Sequence, residues 1–84
     1  MNAHDADHIH DAIRRAQQRA LPELGDVDFD AALTGDVGLD SVQVMDLVME
    51  IEDELDISIP VETLAETRTL GELAERVRPL VDDR

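Results

Sequence analysis

The chain has 84 residues, 43% of them apolar, with one aromatic (Phe29), no cysteine and a formal net charge of −14. That suffices for one small domain with an aliphatic core. It excludes a disulfide framework, a thiolate nucleophile and a zinc knuckle. It also argues against nucleic-acid binding, because acids repel phosphates and no aromatic platform is available for bases.

No apolar run approaches the length of a membrane span, and the opening "MNAHDADHIH" lacks the basic and apolar parts of a signal peptide. A cytoplasmic, monomeric single domain is expected, with loose ends at 1–6 and 81–84. From Ala20 to Thr67 there are fourteen acids and no base; Arg19 precedes the stretch and Arg68 follows it. The two ends hold seven acids and seven arginines and cancel, so the net charge belongs to the middle. Such a field attracts basic protein surfaces and speeds encounter with them. Plain solubility is the simpler alternative.

In chain order, Ile9, Ala12, Ile13, Ala16 and Ala20 fall at helical spacing. They predict a first helix over 7–20, capped by Asp5 or Asp7, with Arg14, Arg15 and Arg19 suiting its C-terminal end and Pro22 stopping it. Residues 22–40 read as a long loop, punctuated by Gly25, Gly35 and Gly38 and pinned to the core by Val27, Phe29 and Leu33. A loop of that length in so small a domain invites a functional reading. Its "DVDFD" (Asp26 to Asp30) has a calcium-loop rhythm, but Ala31 and Val37 stand where an EF-hand needs glycine and glutamate. His4, His8 and His10 lie on a solvated terminus. No metal site is expected.

The second helix runs over 41–55, with Asp40 as N-cap and Gln43 completing a capping box. "DISIP" breaks it, and a short helix follows over 61–66. "TLGE" at Thr69 to Glu72 is a second capping box. It opens a last helix with Leu70, Leu73, Ala74, Val77 and Leu80 on one side, frayed at its end by Pro79. The fold class is all-α: a four-helix bundle of three main helices and one short one.

The second helix carries two apolar stripes. Val44, Leu47, Val48, Ile51 and Leu55 form the core face. Val42, Met45 and Met49 form another, which one narrow helix cannot fully bury. Asp46, Glu50, Glu52, Asp53 and Glu54 stand around it. An apolar strip rimmed by one sign of charge is a docking surface in pattern, and methionine adapts to partners of varied shape. Packing under the long loop is the competing reading for Met45 and Met49.

Ser41 heads this helix. As a nucleophile it would need a base and an orienting group. The histidines are all N-terminal, acids surround the site, and there is no G-x-S-x-G elbow. The serine makes better sense as a site on which another enzyme acts. A helix N-terminus welcomes a phosphate through its free N–H groups and its dipole.

"DVGLDSV" at Asp36 to Val42 resembles the D-L-G-x-D-S-L signature of acyl and peptidyl carrier proteins. Asp36, Gly38, Asp40 and Ser41 match directly. "LVMEIEDELDISIP" resembles the family's acidic second helix and the I-P after it, and "TRTLGELAERV" resembles the start of its last helix. The resemblance covers residues 7 to 80. It implies an acyl-carrier-type bundle in which Ser41 carries 4′-phosphopantetheine through a phosphodiester and Asp40 is read by the phosphopantetheinyl transferase. The arm's thiol would hold an acyl or aminoacyl group, the chain having no thiol of its own.

Further implied partners are loading enzymes, acyltransferases and synthases. Val42, Met45, Asp46, Met49, Glu52 and Asp53 match partner-contact positions, and Ile59 and Leu64 match positions near the arm and acyl pocket. The chain itself would not be an enzyme. There are departures. Gln43 stands where many fatty-acid carriers have an acid. Leu33 stands where an aromatic often precedes the signature, leaving Phe29 to do that packing. Thr67 replaces an aliphatic at the pocket's lower edge, which disfavours a long alkyl chain there. The expected role is a dedicated carrier of a specialised polyketide or nonribosomal peptide pathway. The alternatives are a fatty-acid carrier, an acidic helical adapter without a cofactor, and a calcium sensor.

Overall fold

The computed structural model describes residues 3–82, and side chains from residue 8 onward. Residues 1, 2, 83 and 84, part of the expected loose ends, lie outside the described residues. The elements are α1 (Ala3–Ala20), a 3₁₀ turn (Pro22–Leu24), α2 (Ser41–Leu55), α3 (Val61–Ala65) and α4 (Leu70–Asp82). Among the described residues all regular structure is helical, the all-α bundle expected.

Helix α1 begins earlier than the apolar spacing suggests. Asp5 and Asp7 lie within it and are not caps. The apolar repeat marks only where α1 meets the core, from Ile9 onward, and the helix extends beyond that contact. At the other end of the chain, α4 runs through Pro79 to Asp82 where fraying was expected. A proline in the last turns removes a single donor. Leu80 and Val81 pack against the core on the far side of it and hold the final turn in place.

The core is aliphatic. Ile9, Ile13, Leu47, Ile51, Leu70, Leu73 and Val77 are all but inaccessible to water. The loop contributes Leu21, Val27, Leu33 and Leu39 to it. Helices α1 and α2 are also clamped outside the core by ion pairs. Arg15 meets Glu54 at 2.9 Å, and Arg19 meets Glu54 at 2.6 Å and Glu50 at 3.0 Å. These two arginines therefore serve a neighbouring helix more than the end of their own.

Among the described residues the one buried polar side chain is Gln17. Its amide nitrogen donates to the Gly25 carbonyl at 2.6 Å, and its oxygen accepts from the Val27 N–H and from Arg14. Arg14 also donates to the Val27 carbonyl and lies over the Phe29 ring, which packs beside His10. This latch satisfies loop backbone groups that would otherwise be buried without partners. Phe29 thus packs over α1 and against the core, and Leu33 enters the core itself.

The loop is tied to α4 as well. The Leu33 N–H bonds the Arg68 carbonyl, and the Gly71 N–H bonds the Phe29 carbonyl, each at 2.9 Å. A side chain at Gly71 would come within 3.3 Å of that carbonyl, so glycine permits the approach. The start of α4 is half of the expected capping box. Thr69 accepts from the Glu72 N–H, but the Glu72 carboxylate reaches back one residue further, to the Arg68 N–H.

Candidate functional site

The site is built where the loop becomes α2. Asp36 closes a tight knot: its carboxylate accepts from the Ala32 N–H, while the N–H groups of Asp36 and Val37 both return to the Ala32 carbonyl. Gly38 then takes φ +85°, a left-handed conformation that glycine adopts without strain. That turn sends Leu39 into the core and leaves Asp40 extended at the head of the helix.

Asp40 and Gln43 form the complete capping box. The carboxylate accepts from the Gln43 N–H at 2.8 Å, and the Gln43 side-chain oxygen accepts from the Asp40 N–H at 3.0 Å. Gln43 is therefore a structural cap, which explains why an acid is not needed there. Ser41 is the first helical residue and is exposed. Its hydroxyl has no hydrogen-bond partner among the described residues. With Gln43 capped, the first-turn N–H groups of Ser41 and Val42 remain for an incoming anion.

Helix α2 then divides into faces as its two stripes predict. Leu47, Val48, Ile51 and Leu55 are buried and Val44 is half-buried against the core. Val42, Met45 and Met49 stand 68%, 48% and 58% exposed, so they are not covered by the loop. The acids separate into three groups. Glu50 and Glu54 turn towards α1 and its arginines. Hydrogen bonds from Arg19 and Arg15 hold the Glu54 carboxyl below its ordinary range. Glu52 lies on the opposite flank, where it accepts from the Ile59 N–H at 2.7 Å and anchors the segment after α2. Asp46 and Asp53 remain exposed beside the apolar stripe, without a partner among the described residues.

Ser41 opens onto a groove of about 500 Å³ between the loop, α2 and α3. Leu33 and Thr34 line it from the loop, and Val44 and Met45 from α2. Leu64, Thr67 and Arg68 close the third side. Leu64 is where the sequence reading puts a pocket residue. Ile59 is in the core and is not among the groove's lining residues. Thr67 does line the groove, but its hydroxyl donates to the Thr63 carbonyl at 2.6 Å, so its polarity is met within the chain. Sequence reasoning missed Thr34 and Arg68. The available signal was that Arg68 is the first base after the acidic stretch. Among the described residues no three acids or histidines come together as a metal site, and no helix is long and apolar enough to cross a membrane.

A family model described as a phosphopantetheine attachment site matches residues 11–77. The chain belongs to the acyl carrier protein family. It is 34% identical over 65 residues to a probable acyl carrier protein of Caulobacter vibrioides, covering 77% of this chain and 76% of that one. It is 30% identical over 59 residues to an acyl carrier protein of Exiguobacterium sibiricum, covering 70% and 75%. No solved structure matches the chain.

The cofactor of this family is covalently attached 4′-phosphopantetheine. The residues present fit it: an exposed hydroxyl, uncommitted N–H groups at the start of a 15-residue helix, and a groove alongside. Once attached, the group supplies a terminal thiol for thioester formation. The acyl carrier itself has no cysteine to provide one.

Proposed function

We propose that this acyl carrier holds acyl or aminoacyl intermediates on a 4′-phosphopantetheine arm at Ser41 and delivers them to successive enzymes without turnover of its own. The observation that carries the assignment is the exposed, unpartnered Ser41 hydroxyl at the head of a capped helix beside the groove. In the reaction with coenzyme A, the Ser41 oxygen would attack the phosphorus nearest the pantetheine, lose its proton to the transferase and release adenosine 3′,5′-bisphosphate. Asp40 keeps the helix start rigid, and the N–H groups of Ser41 and Val42 stabilise the new phosphodiester.

The exposed stripe of Val42, Met45 and Met49, with Asp46 and Asp53 beside it, serves as the docking face for the transferase and for loading enzymes, acyltransferases and synthases. Glu52 adds charge at its flank. The apolar contact is small and the steering is electrostatic, which favours rapid exchange over long residence. A shuttle must leave each partner. A specialised polyketide or peptide pathway fits the groove better than fatty-acid synthesis, because the polar side chains of Thr34 and Arg68 stand in its lining, where a long alkyl chain would have to lie.

Incubation with coenzyme A, Mg²⁺ and a broad-specificity transferase, followed by intact-mass measurement, tests the assignment. The expected result is a gain of one phosphopantetheine that Ser41→Ala abolishes. A folded wild-type protein that gains nothing would point to a cofactor-free adapter.

A further inference from the structure

Among the described residues of this acyl carrier the arginines are almost all committed. Arg14 bonds Gln17 and the Val27 carbonyl, Arg15 and Arg19 bond Glu54 and Glu50, Arg76 bonds Glu66, and Arg78 bonds Glu75. Arg68 differs. It is exposed, and its guanidinium has no hydrogen-bond or ion-pair partner among the described residues. Acids lie close by in sequence, yet Glu66 goes to Arg76 and Glu72 goes to the Arg68 backbone N–H. Arg68 lines the same groove as Ser41, and its backbone is fixed on both sides, by Glu72 at its N–H and by Leu33 at its carbonyl.

From this we infer that Arg68 is a specificity residue: it pairs with a carboxylate at the far end of the carried acyl group, so the groove selects acyl units bearing a second carboxyl. The inference rests on the carrier reading of Ser41 and deepens it. A chain of net charge −14 repels an anionic cargo unless a local cation offsets the field. A guanidinium fork matches the geometry of a carboxylate, as it does that of a phosphate, and can bind it bidentately. Between the thioester and that end, the apolar lining of Leu33, Val44 and Leu64 accommodates a short methylene spacer. A groove of about 500 Å³ has room for such a unit. Of the two cargo classes proposed above, this keeps the acyl one: an aminoacyl unit would place an ammonium group beside Arg68 and is disfavoured.

The test loads the 84-residue protein with succinyl-pantetheine and with its analogue whose free carboxyl is capped as a methyl ester, each from the corresponding coenzyme A derivative, and confirms loading by mass. The cargoes differ in one negative charge. Thioester hydrolysis is then followed by mass, and amide shifts of Thr34, Met45, Leu64 and Thr67 by NMR. An exposed ion pair is worth up to about 1 kcal/mol, so docking should slow succinyl hydrolysis by roughly two- to fivefold relative to the ester, each rate being taken against the same thioester on free coenzyme A because an undocked succinyl carboxylate attacks its own thioester.

Arg68→Gln should abolish that difference and the succinyl-specific shifts, and Arg68→Lys should restore part of it. Equal hydrolysis of the two cargoes in the wild type, once each is divided by its rate on free coenzyme A, or a difference that survives Arg68→Gln, overturns the inference. If Arg68→Gln instead moves the ³¹P signal of the arm with no cargo attached, Arg68 serves the phosphodiester and the cargo assignment is wrong. Failure to load at all sinks the carrier reading. Loading without discrimination sinks only the role of Arg68.

Discussion

Replacing Met49 by alanine separates docking from folding. Fully burying a methionine is worth about 1.5–3 kcal/mol. Met49 is 58% exposed. The folded domain therefore holds a little under half of that value, about 0.6–1.3 kcal/mol, and alanine returns a few tenths through helix propensity. The remaining side chain is free to be covered by a partner, worth about 0.9–1.7 kcal/mol, or roughly 5- to 20-fold in affinity. Urea unfolding of Met49→Ala should show a loss of no more than about 1 kcal/mol. The KM of the transferase for the same variant should rise roughly 5- to 20-fold with kcat little changed. A variant that unfolds would show that Met49 is a core residue. A folded variant with unchanged KM would remove it from the docking face.

Gln17→Leu strands the buried Val27 N–H and breaks the bond to the Gly25 carbonyl; unfolding should show a loss of about 2–4 kcal/mol, with a lower melting temperature. Gly38→Ala must adopt φ near +85°, and should cost about 1–2 kcal/mol in the same assay. Docking that depends on Asp46 and Asp53 should weaken steeply with added salt, read as a falling kcat/KM for the transferase. Glu54 is held below its ordinary pKa of 4.5 by Arg19 and Arg15, so its contribution to stability is complete above that value and is lost as pH falls through the lowered one. Glu54→Gln should therefore lose more stability near pH 6 than near pH 3, measured by thermal melts against wild type.

The helices, the core face of α2 and its exposed stripe were legible because periodicity alone decides them. Leu47 and Met49 are two residues apart, and a 200° rotation on a helix puts one in the core and the other in water. The caps at Asp40 and Thr69 were equally visible, since capping needs only neighbours in sequence. What sequence could not reveal were pairings set by how elements pack. Nothing near Gln17 says that its amide will meet a carbonyl eight residues on. The acids of α2 look alike in sequence, yet Glu50 and Glu54 pair with α1, Glu52 holds Ile59, and only Asp46 and Asp53 remain outward. Helix length beyond the core was also hidden: the start at Ala3 and the turns past Pro79 lie outside the apolar repeat that locates the rest. Thr67 looked like a polar intrusion in the groove, because its bond to Thr63 appears only once α3 is folded.

The most direct test of the central claim is where the arm is attached. No lysine or arginine lies between Arg19 and Arg68, so trypsin releases residues 20–68 as one peptide holding both serines of the chain, Ser41 and Ser58. Ser41 stands at the N-terminal end of α2, whereas Ser58 follows its C-terminal end, where the helix dipole opposes a phosphate. Fragmentation of that peptide from transferase-treated protein should place the phosphopantetheine on Ser41 alone. An arm found on Ser58, or on a threonine of the same peptide, would contradict the account.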